Sequence, residues 1–259
     1  MADESTAKVI GVVAGAGPFA GLDLLGKILD QTAAEKDQDH LTVISLSRPC
    51  KIPDRTEFLL GETAVNPAYA IFRQLQTLER AGAAVVAIPC NTAHAPAIFG
   101  LVQEQLQAAG SQIQFLHMIA ETARFLRQQY PTLQRVGVLS TTGTYKFRLY
   151  PDLLEPAGFT VLVPDLHLQT RTIHPAIYDR KYGIKARGQA THQAREGLLR
   201  GVRALQQQGA EAVILGCTEI PLALRERQID GVVMVDPTLV LARALIREAN
   251  SSRLKPLPA

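Results

Sequence analysis

Along this chain, short apolar runs alternate with longer stretches of helical periodicity. The runs at 9–14, 41–46, 84–88, 114–118, 135–139, 160–163, 212–215 and 232–235 have the length and content of buried β-strands. Apolar residues at three- and four-residue spacing predict helices over 19–33, 67–80, 93–108, 119–129, 144–155, 188–208 and 237–249. Alternation of this kind predicts βαβ units and parallel sheet. Either one doubly wound sheet or two smaller α/β domains would satisfy it.

An internal repeat decides between them. The segment Gly82-Ala-Ala-Val-Val-Ala-Ile-Pro-Cys90 lies over Gly209-Ala-Glu-Ala-Val-Ile-Leu-Gly-Cys217 without a gap, at an offset of 127 residues. The helices upstream agree, with Leu75 over Val202 and Leu78 over Leu205. A second pair, Ile10-Gly-Val-Val13 over Val136-Gly-Val-Leu139, has an offset of 126. Two matches at nearly one offset predict a duplicated α/β half. The expected fold is therefore α/β, with two similar domains, each a parallel-sheet sandwich, related by pseudo-twofold symmetry around an active site between them. The expected domains are 1–118 and 119–236, with a C-terminal helix in 237–259 returning to the first.

Composition narrows the function. The chain has 259 residues, 47% hydrophobic and 20% charged, enough to build an ordinary core. Aromatic residues make up only 5% and Trp is absent, so that core must be mostly aliphatic, as in parallel sheets. The net charge of +3 comes without a Lys/Arg run, which argues against a nucleic-acid partner and suits a small anion. Three cysteines without a CxxC pair make neither a disulfide framework nor a zinc site. Residues 1–8 are polar and lead straight into a strand, and no window approaches a membrane span. A cytoplasmic protein with no membrane partner is expected, with residues 251–259 frayed.

The repeat gives two of the cysteines a meaning. Cys90 and Cys217 each end the repeated strand, and open α/β sheets bind ligands outside the carboxyl ends of their strands. Duplication would deliver two thiols to one cleft. Inverting a carbon by deprotonation needs a base on one face and an acid on the other. A thiol and a thiolate can fill those roles and exchange them, since the free thiol pKa is about 8.5. Asn91 follows Cys90 and Thr218 follows Cys217. Both are helix-capping types, so each cysteine is expected just before a helix whose dipole stabilises a thiolate. One buried cysteine is ordinarily inert core; two at one place of a repeat reverse that expectation. Cys50, with no repeat partner, is taken as structural.

At these motifs the sequence resembles the aspartate/glutamate racemase family, more closely its aspartate racemase branch. The resemblance rests on Pro89-Cys-Asn-Thr-Ala-His94 and Gly216-Cys-Thr-Glu-Ile-Pro221, with Ile52-Pro-Asp-Arg-Thr56, Ser140-Thr-Thr-Gly-Thr144 and Tyr182-Gly-Ile-Lys-Ala186 in order between and around them. It implies two α/β domains, no cofactor, often a homodimer, and Cys90 and Cys217 as the catalytic thiols. It also implies that Arg55 and Lys185 hold the two carboxylates of the substrate. A dicarboxylic amino acid offers two anions, and an Arg plus a Lys can take one each. Asn91, Thr92 and Thr218 either bond substrate or thiolate or simply cap helices. Thr141 and Thr142 lie in a loop whose N–H groups either receive a carboxylate or make a plain turn. His94 reads as a half-buried structural histidine. Glu219 stands where the glutamate branch usually has histidine, which favours aspartate over glutamate.

The resemblance departs at Ala14-Gly-Ala-Gly-Pro18, where the family usually reads Gly-Gly-Met-Gly-Pro. With Ala20, the same loop gives Gly15-x-Gly17-x-x-Ala20, a dinucleotide-type turn, and the next strand ends at Ser47-Arg48 as an NADP site would prefer. An NADP-dependent oxidoreductase is thus one alternative. Another is an isomerase of a related diacid on the same fold. A third is a two-lobed binding protein for an acidic amino acid.

Overall fold

In the computed structural model, which describes residues 7–257, the chain divides into two compact units. The first comprises Met1–Glu121 and Thr238–Ala259; the second is Thr122–Pro237. The polar leader at 1–6 and the last two residues lie outside the described residues.

The first unit is built on a four-stranded parallel sheet of β1 (Ile10–Val13), β2 (Val43–Leu46), β3 (Val85–Ala87) and β4 (Gln114–Phe115), in the order β2-β1-β3-β4. Its helices are α1 (Pro18–Gln31), α2 (Arg55–Leu59), α3 (Ala68–Arg80), α4 (Pro96–Ala108) and the C-terminal α12 (Pro237–Asn250), with α5 (Met118–Gln129) leading into the second unit. Alternation along the strands explains why both faces are covered. Ile10, Val12, Val85 and Ala87 pack with Leu24 and Ile28 of α1 and Leu241 and Leu245 of α12. Val13, Val86 and Ile88 pack instead with Ile71 and Leu75 of α3 and with Ile98 and Val102 of α4. A sheet buried on both sides needs apolar residues at every position, hence runs rather than alternation in the sequence.

The second unit has β5 (Arg135–Ser140), β6 (Thr160–Leu162), β7 (Ala212–Gly216), β8 (Gln228–Ile229) and β9 (Val232–Val235) in the order β6-β5-β7-β9-β8. All pairs are parallel except the β8–β9 hairpin edge. Its helices are α6 (Thr142–Lys146), α7 (Pro151–Leu154), α8 (Leu166–Leu168), α9 (His174–Tyr178), α10 (Ile184–Arg187) and α11 (His192–Gln207). A π-helical turn, Gln169–Ile173, joins α8 to α9.

The repeat is visible in the strand registers. Ile10 pairs with Val85 in the first sheet, and Val136 pairs with Ala212 in the second. The repeated glycines also do the same job. A Cβ on Gly11 would lie 2.8 Å from a Val86 methyl, and one on Gly137 would lie 3.1 Å from a Val213 methyl and 3.0 Å from Leu205. Each glycine lets the neighbouring strand's valine close over it.

Several expected boundaries move, for local reasons. The helix expected over 144–155 is two pieces, because Arg148 adopts a left-handed φ of 48° that ends one and re-aims the chain into the other. The helix expected from 188 starts at His192: Gly188 (φ 66°) closes α10, and the Thr191 hydroxyl caps α11 by accepting from Ala194 N. The helix expected from 93 starts at Pro96, which occupies the first-turn position that proline favours. The tail is not frayed through its described part. Lys255 N donates to Gln31 O at 3.0 Å, Ala33 N to Arg253 O at 2.7 Å, and Leu254 bridges Thr32. No helix among the described residues is long and apolar enough to cross a membrane.

Candidate active site

In the first unit, β3 runs toward Cys90, which is 7% exposed. Its Sγ lies 3.4 Å from Thr92 Oγ1, so the hydroxyl meets the thiol rather than capping a helix. The segment after it, Asn91–His94, is a single 3-10 turn whose cap position is Cys90 itself. The expected capping by Asn91 is thus corrected, and α4 with its dipole starts only at Pro96. Asn91 and Thr92 are both buried beside the thiol.

His94 is not half-buried, as the sequence suggested, but 2% exposed. Nδ1 meets Cys90 O at 2.9 Å, and the ring stacks among Phe99, Phe115 and His117. Burial pushes its pKa down to about 3, with the His117 imidazole adding to the effect. The ring is neutral at working pH and fixes the Cys90 carbonyl without supplying charge to the thiol. A depressed pKa contributes stability that is complete above the unfolded value near 6.5 and is lost as pH falls toward 3. Urea unfolding at about pH 7 and roughly pH 4.5 should therefore differ by on the order of 2–3 kcal/mol from this residue. His94→Leu should flatten that difference while lowering stability at neutral pH; an unchanged slope would refute the assignment.

Arg55 opens α2 behind the Asp54 cap, which accepts from Thr56 N and Glu57 N. Its guanidinium is buried, with Nη1 donating to Pro53 O at 3.2 Å and Nη2 to Ala16 O. Two carbonyls thus hold the plane of the fork. The Ala14–Ala16 turn is shaped by packing: a Cβ on Gly15 would lie 2.7 Å from Arg48 N. Backbone of the loop after β2 thus packs directly against Gly15.

In the second unit, β7 ends at Gly216, immediately before Cys217. A Cβ on Gly216 would meet Leu139 O at 2.9 Å and the Tyr150 ring at 3.0 Å, so only glycine fits there. Cys217 Sγ donates to Glu219 Oε2 at 3.0 Å. Lys185, on α10, donates to the other oxygen, Oε1, at 2.8 Å, and its Nζ lies 5.2 Å from the Tyr178 ring centre. Thr218 Oγ1 donates to Glu219 Oε2 at 3.3 Å, so Thr218 is not a cap either. The result is a line of groups, Lys185–Glu219–Cys217, with the carboxylate 4% exposed at its centre.

The electrostatics of the line are opposite to a dipole-stabilised thiolate. Burial pushes the Cys217 thiol well above its ordinary range, and the Glu219 carboxylate pushes the same way, while Lys185 opposes them only partly. The turn that follows, Ile220–Leu222, is one short 3-10 turn. Burial presses Lys185 toward its neutral form, yet Glu219, helped by Cys217 and Tyr178, outweighs it and holds the ammonium above the usual lysine range. Glu219 is the residue that the sequence left out of the site. The sequence offered two signals for it, its place two residues after a candidate thiol and its standing where the glutamate branch usually has histidine.

The loop after β5 lies beside this line, because Ser140 pairs with Gly216 in the sheet register. Thr141 caps α6, accepting from Thr144 N at 3.4 Å, and Thr142 N donates to His174 Nδ1 at 3.3 Å. Gln169, on the π-turn, donates to Ser140 O at 2.9 Å. Two of the loop's N–H groups therefore already have partners within the unit. Cys50 is exposed on the 3-10 turn Pro49–Lys51. Among the described residues no group of three or more His, Cys, Asp or Glu side chains could hold a metal ion.

Comparison with known proteins agrees with this layout. The chain is 25% identical over 244 residues to the broad specificity amino-acid racemase RacX of Bacillus subtilis (strain 168), spanning 92% of this chain and 96% of that protein. The structure of Picrophilus torridus aspartate racemase matches at a TM-score of 0.78 and 29% identity, over 96% of each chain. Glutamate racemase from Francisella tularensis subsp. tularensis SCHU S4 matches at 0.62 and 16% identity, over 98% of this chain and 85% of that one, a likeness of fold alone. The family model described as Asp/Glu/Hydantoin racemase matches residues 13–245. With nine-tenths of its length inside that model, this chain belongs to the Asp/Glu/hydantoin racemase family and by that membership is an amino-acid racemase.

Proposed function

We propose that the protein inverts the α-carbon of an acidic amino acid, aspartate first and glutamate next, by proton transfer between Cys90 and Cys217 without a cofactor. One observation carries the reading: each unit ends its repeated strand close to a buried cysteine with a polar neighbour on its sulfur, β7 at Gly216 next to Cys217 and β3 at Ala87, three residues before Cys90. A racemase needs an acid and a base of matched chemistry, and duplication supplies both. In the scheme, one thiolate takes the α-proton, forming S–H, and the other thiol gives its proton to the opposite face of the carbanion.

Arg55 and Lys185 are assigned to the two substrate carboxylates. Arg55 is pre-set by its carbonyl partners, which lowers the ordering cost of binding. Lys185 has ammonium protons beyond the one given to Glu219, so a carboxylate can share or take over that cation. Asn91, Thr92, Thr218, Thr141 and Thr142 then serve as hydrogen-bonding neighbours of substrate and thiols. Aspartate is put first because Glu219 follows the Cys217-Thr218 pair, and because the Picrophilus torridus relative is an aspartate racemase. The homodimer and the cytoplasmic setting belong to the same reading.

The test is proton NMR of L-aspartate and L-glutamate in D2O with the purified protein and nothing added. Loss of the aspartate α-proton signal with appearance of D-aspartate is the expected result. Persistence of both signals would overturn the substrate assignment. Exchange of a non-acidic amino acid in their place would move the reading toward the broader specificity named for RacX.

A further inference from the structure

The first unit carries a cavity of about 550 Å³ between α3 and the loop that follows the edge strand β2. Arg48 and Lys51 line it from the loop, and Arg73 and Arg80 from the helix. No carboxylate is among its lining residues. Glu79, the single acid of α3, is turned elsewhere: Oε1 accepts from Ser111 Oγ at 2.8 Å and Gln112 N at 2.9 Å.

The wall of this cavity includes Gln74, and Gln74 is the informative residue. Its side chain is 3% exposed, and neither its Nε2 nor its Oε1 has a hydrogen-bond partner. It sits on the buried side of α3 with Ala70, Ile71, Leu75 and Leu78, where leucine would serve packing better. A buried amide with both ends unmet is costly, and native proteins rarely retain one without a use. Here it is one of the residues that line a space ringed by four cations.

We infer that this cavity is a binding site for a small polyanion carrying two or more phosphate groups, held by Arg48, Lys51, Arg73 and Arg80 at the rim and by the Gln74 amide at the wall. Four cations exceed the charge of one phosphate, roughly −2 at neutral pH, and match a diphosphate far better. Three of the four are arginines, whose planar forks bind phosphate oxygens in pairs. The ligand's oxygens accept from Nε2 of Gln74, and Oε1 accepts from a guanidinium drawn inward or from a protonated phosphate oxygen.

Calorimetric titration of inorganic pyrophosphate into the full chain at physiological salt tests this without any turnover, so it stands or falls separately from the racemase reading. Saturable one-to-one binding is expected, weakened at least about tenfold by Arg73→Ala combined with Arg80→Ala, both exposed side chains. Gln74→Leu should also weaken binding, yet leave the unliganded protein with an equal or higher Tm, a combination that a merely structural glutamine would not give. No saturable heat, or undiminished binding in the double variant, would overturn the site. Citrate bound as tightly as pyrophosphate would overturn the phosphate assignment.

Discussion

Cys90→Ser and Cys217→Ser are each expected to lower racemisation of the acidic substrate by roughly 10³–10⁴-fold while leaving the fold intact. Serine is nearly isosteric, so neither buried site gains or loses much volume. Its hydroxyl is far too weak an acid to cycle between protonated and ionised forms at neutral pH. The informative measurement is done in D2O with each enantiomer supplied separately. In a two-base scheme, the variant that keeps one thiol can still exchange the α-proton of the enantiomer facing that thiol. It cannot deliver a proton to the other face. Each variant should therefore wash deuterium into one enantiomer without inverting it, and the two variants should do so for opposite enantiomers. Near-normal racemisation by either would sink the scheme. Exchange of the same enantiomer in both would mean that the thiols do not serve opposite faces.

The strands and the duplication were legible because a parallel sheet buried on both faces leaves dense, periodless apolar runs, and because Gly11 and Gly137 answer the same steric demand. The second unit's helices were less legible for equally physical reasons. The run from Leu166 to Tyr178 is a π-turn at Gln169–Ile173 between helices of three and five residues, each too short to build an apolar period of its own. Arg148 breaks a helix that propensity alone would continue. At the site, the place of each cysteine after its strand followed from the repeat, but its environment did not. The residues after the thiols look like helix caps and are not. The partner of Glu219 is 34 residues away in the chain, on a short helix with no strong periodicity of its own. Gln74 was open to notice as the one amide on an aliphatic stripe, though only the structure shows that nothing meets it.

Glu219→Gln is expected to move two observables in opposite directions. In the resting protein Glu219 is a carboxylate shared between the Lys185 ammonium and the Cys217 thiol. After burial, its charge is the main cause that keeps the thiol protonated. When a substrate carboxylate competes for Lys185, Glu219 loses its counter-charge and becomes a stronger base. In the proposed scheme it then takes the Cys217 proton, so that S–H breaks, O–H forms and a thiolate becomes available to the α-carbon. Glutamine keeps the shape and removes the charge. The Cys217 pKa should then fall, because the remaining neighbour is the Lys185 cation, and the ultraviolet thiolate signal should rise at lower pH than in the native protein. Racemisation should nonetheless drop by roughly 10²-fold, because glutamine cannot accept the proton and the thiolate, paired with Lys185, competes with the substrate for that cation. Glu219→Asp, which keeps a carboxylate one methylene shorter, should recover part of the rate and return the thiolate titration toward its native position. A fall in rate with an unmoved titration would make Glu219 a packing residue; a moved titration with full activity would show that Cys217 loses its proton by another route.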